Sequence, residues 1–199
     1  MNTPAHVIFS LAILGPSRAK AFTVAIFLGA LLPDVMMMVF YAYEKISGTP
    51  EQIIWNQRYF LPAWQNIFDI TNSIPLFGIG LWLFWWRRQF SLAWFNASAL
   101  IHCVLDLLVH QEDSHRHFYP FSDYRFLSPV SYWDPTHYGN HVAIMEILLF
   151  VSGSVYLLWA CRPLKNTKGK FSALTWVVAL TGIIYLGFFY FVVVTWMVM

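Results

Sequence analysis

Four residues in the middle of the chain have the types and spacing of metal ligands: His102, Asp106, His110 and Asp113. At i, i+4, i+8 and i+11 they fall along one stripe of a helix. Imidazole and carboxylate one turn apart can hold one cation or bridge two, as the two-histidine helix of zinc proteases does. A polar stripe turned toward the inside of a helix bundle has the same spacing. The surroundings favour ligation, because the stripe interrupts an apolar run of membrane-helix length, where a carboxylate is costly and marks function.

Other segments offer partners for it. Asp34 follows Leu31-Leu32-Pro33, where the proline frees backbone carbonyls and the acid needs a cation or a donor. His6, alone in an apolar run, is the matching half of such a pair. Asp69 and Asn72 could supply oxygen ligands where a later segment enters the membrane, although N-capping by Asp69 or Thr71 explains them as well. His137 and Glu146 are further ligand candidates; nine residues apart, they share no helix face, so both point inward only if the helix breaks at Gly139. The stretch His115 to Asp123 mixes cationic, aromatic and acidic groups and reads equally as a lid or as an interfacial aromatic belt. Met36-Met37-Met38 reads as packing rather than a soft-metal site. The Asn96-Ala97-Ser98 sequon falls inside an apolar helix and carries no meaning.

The elements that must position these residues are apolar and long. The chain of 199 residues is 58% hydrophobic and 11% charged, with mean hydropathy +0.55, so it requires lipid rather than water around it. The expected fold is all-α: a single transmembrane domain over residues 1–199, a polytopic bundle of about five crossings, each needing about 20 residues, plus a short N-terminal half-helix. Thr3-Pro4 reads as cap and first turn of that half-helix, which ends at Gly15-Pro16. The crossings are expected near 19–43 with a kink at Pro33, from 66 or 71 to 86 with a break near Pro75, and at 92–110, 140–160 and 172–198. Residues 44–65 suit the interface, and an ordered loop spans about 112–138, with Pro120, Pro129 and Pro135 as turn signals. A net charge of +2 without a basic stripe excludes nucleic acid as a partner. Cys103 and Cys161 lack metal or disulfide spacing. No cleavable signal peptide is expected, because no basic segment precedes the first apolar run.

Positive charge orients the bundle. Arg18, Lys20, Arg87, Arg88, Arg162, Lys165, Lys168 and Lys170 fall in three connections on one side, which is expected to be cytoplasmic. The C-terminus then lies outside. All seven histidines and all ten acids fall in the outer half or the outer loops of this arrangement. At about 1.5 Å per residue, Asp34 lies roughly 21 Å above Lys20, His102 and Asp106 roughly 20 to 28 Å above Arg88, and His6 roughly 13 Å above the Gly15 turn. Groups from several segments can therefore meet at one depth.

The order of these pieces resembles the YdjM-like family of inner-membrane metal-dependent hydrolases, over most of residues 1–150. The resemblance rests on His6, on Leu31-Leu32-Pro33-Asp34, on His102-x-x-x-Asp106 and on Tyr119-Pro120-Phe121-Ser122-Asp123. The His-x-x-x-Asp helix is also distantly similar to zinc-dependent phospholipase C and single-strand nucleases. The resemblance implies a bacterial inner-membrane protein with its site facing the periplasm, a divalent cofactor of about one to three zinc ions, and hydrolysis of phosphate esters or lipids. Where many YdjM-like chains carry a Thr-His pair, this sequence has Thr71-Asn72, so one ligand of the family pattern is changed.

Three functions stay open on the sequence. In a metal-dependent hydrolase, zinc held by His6, Asp34, His102, Asp106 and His110 activates water and polarises a phosphoryl oxygen. Asp106 and Asp34 orient the reacting groups, and Arg116 or Arg125 holds the phosphate, whose oxygens a guanidinium matches. A metal-ion or proton transporter would use the same His and Asp row, but the inner half of the chain offers no polar ladder to continue it. A non-catalytic scaffold or assembly subunit would need the cluster only to join helices.

Overall fold

In a computed structural model of the chain, residues 1–160 and 173–198 are described, except for the side chains of 17–20, 188 and 191–198. The protein is an all-helical bundle. Helix α1 is Thr3–Leu14, α2 Pro16–Ile46, α3 the single turn Glu51–Ile53, continued by a π-helical turn Ile54–Arg58, α4 Pro62–Thr71, α5 Ile74–Trp86, α6 Phe90–Leu107, α7 Gly139–Ala160 and α8 Ala173–Val198. Among the described residues, four stretches are long and apolar enough to cross a membrane: Ala21–Ile46, Pro62–Trp86, Phe90–Leu107 and Gly139–Ala160. The fifth expected crossing corresponds to α8, within which Ala173–Gly187 forms a shorter apolar helix. Arg162, Lys165, Lys168 and Lys170, used to orient the bundle, lie outside the described residues, as does Cys161.

Helix α1 runs down the middle. Residues Ala5 through Leu11 are all buried in the bundle, while Ile13 in the last turn is exposed. It packs against α2, α6, α7 and α8. Its apolar contacts include Ile8, Leu11, Ile26, Phe150 and Leu157. Lipid tails are as apolar as these side chains, so such contacts stabilise through close packing rather than through removal from water. Gly15, at φ 88°, makes the turn into α2 that a side chain would resist.

Helices α2 and α6 meet through small residues. A Cβ on Gly29 would overlap the backbone carbonyl of Phe95, and Ser98 Oγ donates to the Ile26 carbonyl at 2.6 Å. This close approach carries Asp34 on α2 toward His102 on α6.

Two local expectations are corrected. The non-helical backbone of α2 lies at Phe22 (φ −127°, ψ 28°), not at Pro33, which sits within the helix. In the turn before the proline, His102 Nδ1 meets the Ala30 carbonyl at 2.6 Å. The second crossing breaks at Asn72-Ser73, and the cap of α5 is Ser73, whose hydroxyl accepts from Leu76 N at 3.3 Å. Asp69 and Thr71 lie in the last turn of α4 and cap nothing. Pro75 occupies the first turn of α5, where a missing N–H costs little.

The segment between α2 and α4 folds onto an aromatic cluster of Phe40, Tyr59, Trp64 and Phe68. The segment from 108 to 138 is largely non-helical, with a 3-10 turn at Pro135–His137. Its carbonyls and amides bond into the bundle, with Ile74 N donating to the His117 carbonyl and Tyr132 N to that of Val109, both at 2.9 Å.

Candidate metal centre

The centre is built where α1, α2 and α6 meet, beneath the 108–138 loop. Asp106 is 2% exposed, and His6 and His102 are fully enclosed. His6 Nε2 stands 2.9 Å from Asp106 Oδ1, and His102 Nε2 stands 3.0 Å from Asp106 Oδ2. The two imidazoles stack with centroids 3.5 Å apart and planes 9° from parallel, so their edges point the same way. His6, His102 and Asp106 thus form a buried group whose donor atoms lie within 4.8 Å of one another and can hold a metal ion.

The hydrogen bonding of His102 decides what its free nitrogen can do. Its Nδ1 lies 2.6 Å from the Ala30 carbonyl, which accepts only, so Nδ1 carries the proton. In the neutral ring Nε2 is then a lone pair facing a carboxylate oxygen. That contact is repulsive unless the ring takes a second proton or a metal ion lies between the two. Neither ring nitrogen of His6, nor Nε2 of His102, has a hydrogen-bond partner, and a buried polar atom left unpaired costs about 1–3 kcal/mol. A divalent ion between them satisfies the two Nε2 atoms together and leaves His6 Nδ1 as it is. A ring N–H held by a backbone carbonyl is also how metal-ligating histidines are oriented.

Asp34 and His110 stand at the rim. Asp34 Oδ1 is 3.6 Å from His102 Nε2, and its Oδ2 accepts from Thr3 Oγ1 at 2.6 Å. His110 Nε2 is 3.3 Å from Asp106 Oδ1 and its Nδ1 3.0 Å from Asp113 Oδ2. Met1 N lies 2.9 Å from Asp106 Oδ1 and 3.1 Å from His110 Nε2. The carboxylates of Asp106 and Asp113 outweigh the effect of burial and raise the His110 pKa. Burial alone would raise Asp113, but His110 and the indole N–H of Trp133 hold it below the ordinary value.

The other candidates have different partners. Asp69 is fully buried and accepts from Arg116 N at 2.8 Å and Arg116 Nε at 2.6 Å. Arg116 also donates to Asp123 Oδ1 at 2.6 Å and to Asn66 Oδ1, and stacks on the Tyr119 ring. All three of its nitrogens are engaged by protein oxygens. Arg125 reaches the Ser114 carbonyl and Gln65 Oε1. His137 Nδ1 is 2.6 Å from Asp134 Oδ2 in a 3-10 turn, and the helix does restart at Gly139, where a Cβ would press on the Asp134 backbone. Hydrogen bonds from His137 and Thr136 lower Asp134 to about 2. Glu146 accepts from Asn2 N at 3.1 Å, Asn2 Nδ2 at 2.6 Å and Tyr185 Oη at 3.1 Å, which ties α1 to α7 and α8.

Beside the centre lies a second group of histidines. His115 and His117 are buried with ring centroids 5.9 Å apart, and His115 is 5.9 Å from His110. His117 Nδ1 is 3.0 Å from the Asn72 carbonyl, repeating the posture of His102. Burial and the neighbouring imidazoles push His115 down to about 3, and burial also lowers His117.

Reading the sequence missed three contributors. Thr3, expected as a cap, is the first helical residue, and its hydroxyl serves Asp34 instead. The Ala30 carbonyl has no side-chain signature in the sequence. Tyr185 lies in an apolar run where nothing distinguishes it before Glu146 is placed against it. No protein-family profile matches the chain, and no curated protein or solved structure proves similar to it.

Proposed function

We propose that the protein is a membrane-embedded metal-dependent hydrolase, with a divalent ion, zinc by donor chemistry, held by His6, His102 and Asp106. The observation that carries this reading is the pair of Nε2 atoms set 2.9 and 3.0 Å from the two oxygens of one buried carboxylate. Two imidazoles and a carboxylate are a donor set typical of catalytic zinc, which keeps a position open for substrate or water. Such an ion supplies Lewis acidity and an activated water.

The chain's own residues supply the rest. The Ala30 carbonyl fixes the tautomer of His102. Thr3 donates to one oxygen of Asp34 and leaves the other turned toward His102, where it can accept a proton or orient a reacting group. His110, between Asp106 and Asp113, can pass a proton from the centre toward the loop. The surrounding bundle excludes water, which strengthens each of these interactions. The YdjM-like resemblance, a bacterial inner membrane, and a site opening toward the periplasm belong to the same proposal. Phosphate esters are the substrate chemistry it suggests.

The test is metal content of the purified protein by inductively coupled plasma mass spectrometry, for wild type, His102→Ala and Asp106→Ala. Wild type retains zinc, manganese or iron through a desalting column and both variants lose it. A wild-type protein that neither carries nor takes up any of these ions overturns the proposal and leaves the cluster as polar contacts between helices.

A further inference from the structure

Beside the centre runs a groove of about 870 Å³ between α1, α6 and α7. Its walls are apolar, formed by Phe9 and Ile13 of α1, Leu105 of α6 with Val109 just beyond its end, and Met145 and Leu149 of α7. It ends at Ser152 and Gly153, where α7 closes against α1, since a Cβ on Gly153 would lie 2.9 Å from Ile8 Cγ2. At the other end it opens under the loop, between Val130, Tyr138 and His141. Leu105 and Val109 flank the turn that bears Asp106, and Met1, which also lines the groove, touches Asp106 at 2.9 Å.

We propose that this groove seats one acyl chain of a membrane glycerolipid and so presents the lipid's phosphoester to the His6–His102–Asp106 centre. The proposal rests on the hydrolase reading and names its substrate class. An occupant must be apolar, because the walls offer almost nothing to hydrogen-bond and water there would be stranded. Its length is set by the walls: from His141 to Gly153 is twelve residues of helix, about 18 Å. Half of a bilayer's ~30 Å hydrocarbon core is about 15 Å, the depth of one leaflet's chain. A chain of one leaflet therefore fills the groove and leaves its head at the polar end.

The groove cannot act by hydrophobic affinity, because the surrounding tails are as apolar as its walls. It acts by registration. A chain lying along α7 fixes the depth of its own headgroup, which converts a lipid diffusing past the protein into one held beside the reacting groups.

The experiment is photolabelling in nanodiscs of phosphatidylethanolamine and phosphatidylglycerol doped with a phosphatidylethanolamine that carries a diazirine on its acyl chain. Labelled peptides are mapped by mass spectrometry for wild type, Leu149→Trp and Leu148→Trp, with zinc content measured on the same samples. Leu149 lines the groove and Leu148 does not; both are largely exposed, at 51% and 59%, so neither change disturbs the core. Labels are expected to concentrate on residues 9–13, 105–109 and 142–149, and to fall there by an order of magnitude in Leu149→Trp alone. Even labelling of every lipid-facing helix, unchanged by Leu149→Trp, overturns the proposal while zinc uptake leaves the hydrolase reading standing. Groove labelling in a protein that takes up no zinc overturns it differently, through failure of the hydrolase reading, with the lipid a bound companion rather than a substrate.

Discussion

His102 Nδ1 and the carbonyl oxygen of Ala30 lie 2.6 Å apart across the α2–α6 interface. The contact holds a proton of His102 on the nitrogen facing away from Asp106. It thereby sets Nε2 beside the carboxylates of Asp106 and Asp34, in a group that can hold a cation.

Thr3 should tune that site without belonging to it. Its hydroxyl is the hydrogen-bond donor to Asp34 Oδ2. Removing such a partner weakens metal affinity about 10- to 100-fold in known sites. Thr3→Val is expected to raise the zinc dissociation constant by that factor, and Thr3→Ser to restore it, in competition titrations with a chromophoric chelator. Equal loss in both variants would assign Thr3 to helix packing instead.

The second histidine group predicts an acid limit. His115 and His117 are held neutral by burial, with His115 lowered to about 3. The unfolded loop, with histidines near 6.5, binds more protons than the folded one between these values. Stability is therefore complete above about pH 6.5 and falls as the pH drops below it, by up to ~1.4 kcal/mol per pH unit for each such histidine. Amide exchange of residues 108–138 should accelerate from pH 6 to pH 4 after correction for intrinsic rates, and His115→Gln should flatten the rise.

The sequence disclosed the periodic features and concealed the contacts that depend on tertiary approach. His102 and Asp106 share a stripe because helix geometry puts them there, whereas α6 ends at Leu107 and His110 and Asp113, expected on the same helix, reach the centre from the loop that follows; the depths of His6 and Asp34 follow from the rise per residue alone. The helical bundle followed from apolar run lengths. Asp69 was harder, because its partner Arg116 lies 47 residues away in a loop whose path no local pattern fixes. The kink is expected at Pro33 because a proline normally opens the helix, but the helix runs through it and the irregular backbone falls at Phe22. Glu146 and Tyr185 likewise became partners only once α7 and α8 were side by side.

Asp69 is expected to matter for order in the loop. Its carboxylate is buried and accepts from both the backbone and the side chain of Arg116. Arg116 keeps Asp123 and Asn66 when the carboxylate is neutralised, so the loss is the charge assistance of two hydrogen bonds, up to about 1.5–3 kcal/mol each. Asp69→Asn should lower amide protection throughout 108–138. Asp123, whose side chain is 84% exposed, offers the contrast. Asp123→Asn removes a solvent-screened contact worth ~1 kcal/mol or less and should leave protection nearly unchanged.

The most discriminating test of the architecture alters no polar atom. A Cβ on Gly29 would overlap the Phe95 carbonyl, and backbone cannot yield as a flexible side chain can. Gly29→Leu must therefore push α2 away from α6. Both the His102–Ala30 hydrogen bond and the approach of Asp34 to His102 cross that interface. The variant is expected to lose zinc in the mass-spectrometric assay although His6, His102 and Asp106 remain. Gly78 has open space around it, so Gly78→Leu tests the same substitution on a membrane helix without the clash. It should retain zinc and melt within a few degrees of wild type. Zinc retained in Gly29→Leu would mean that α1 and α6 assemble the centre without α2, and that Asp34 is dispensable to it.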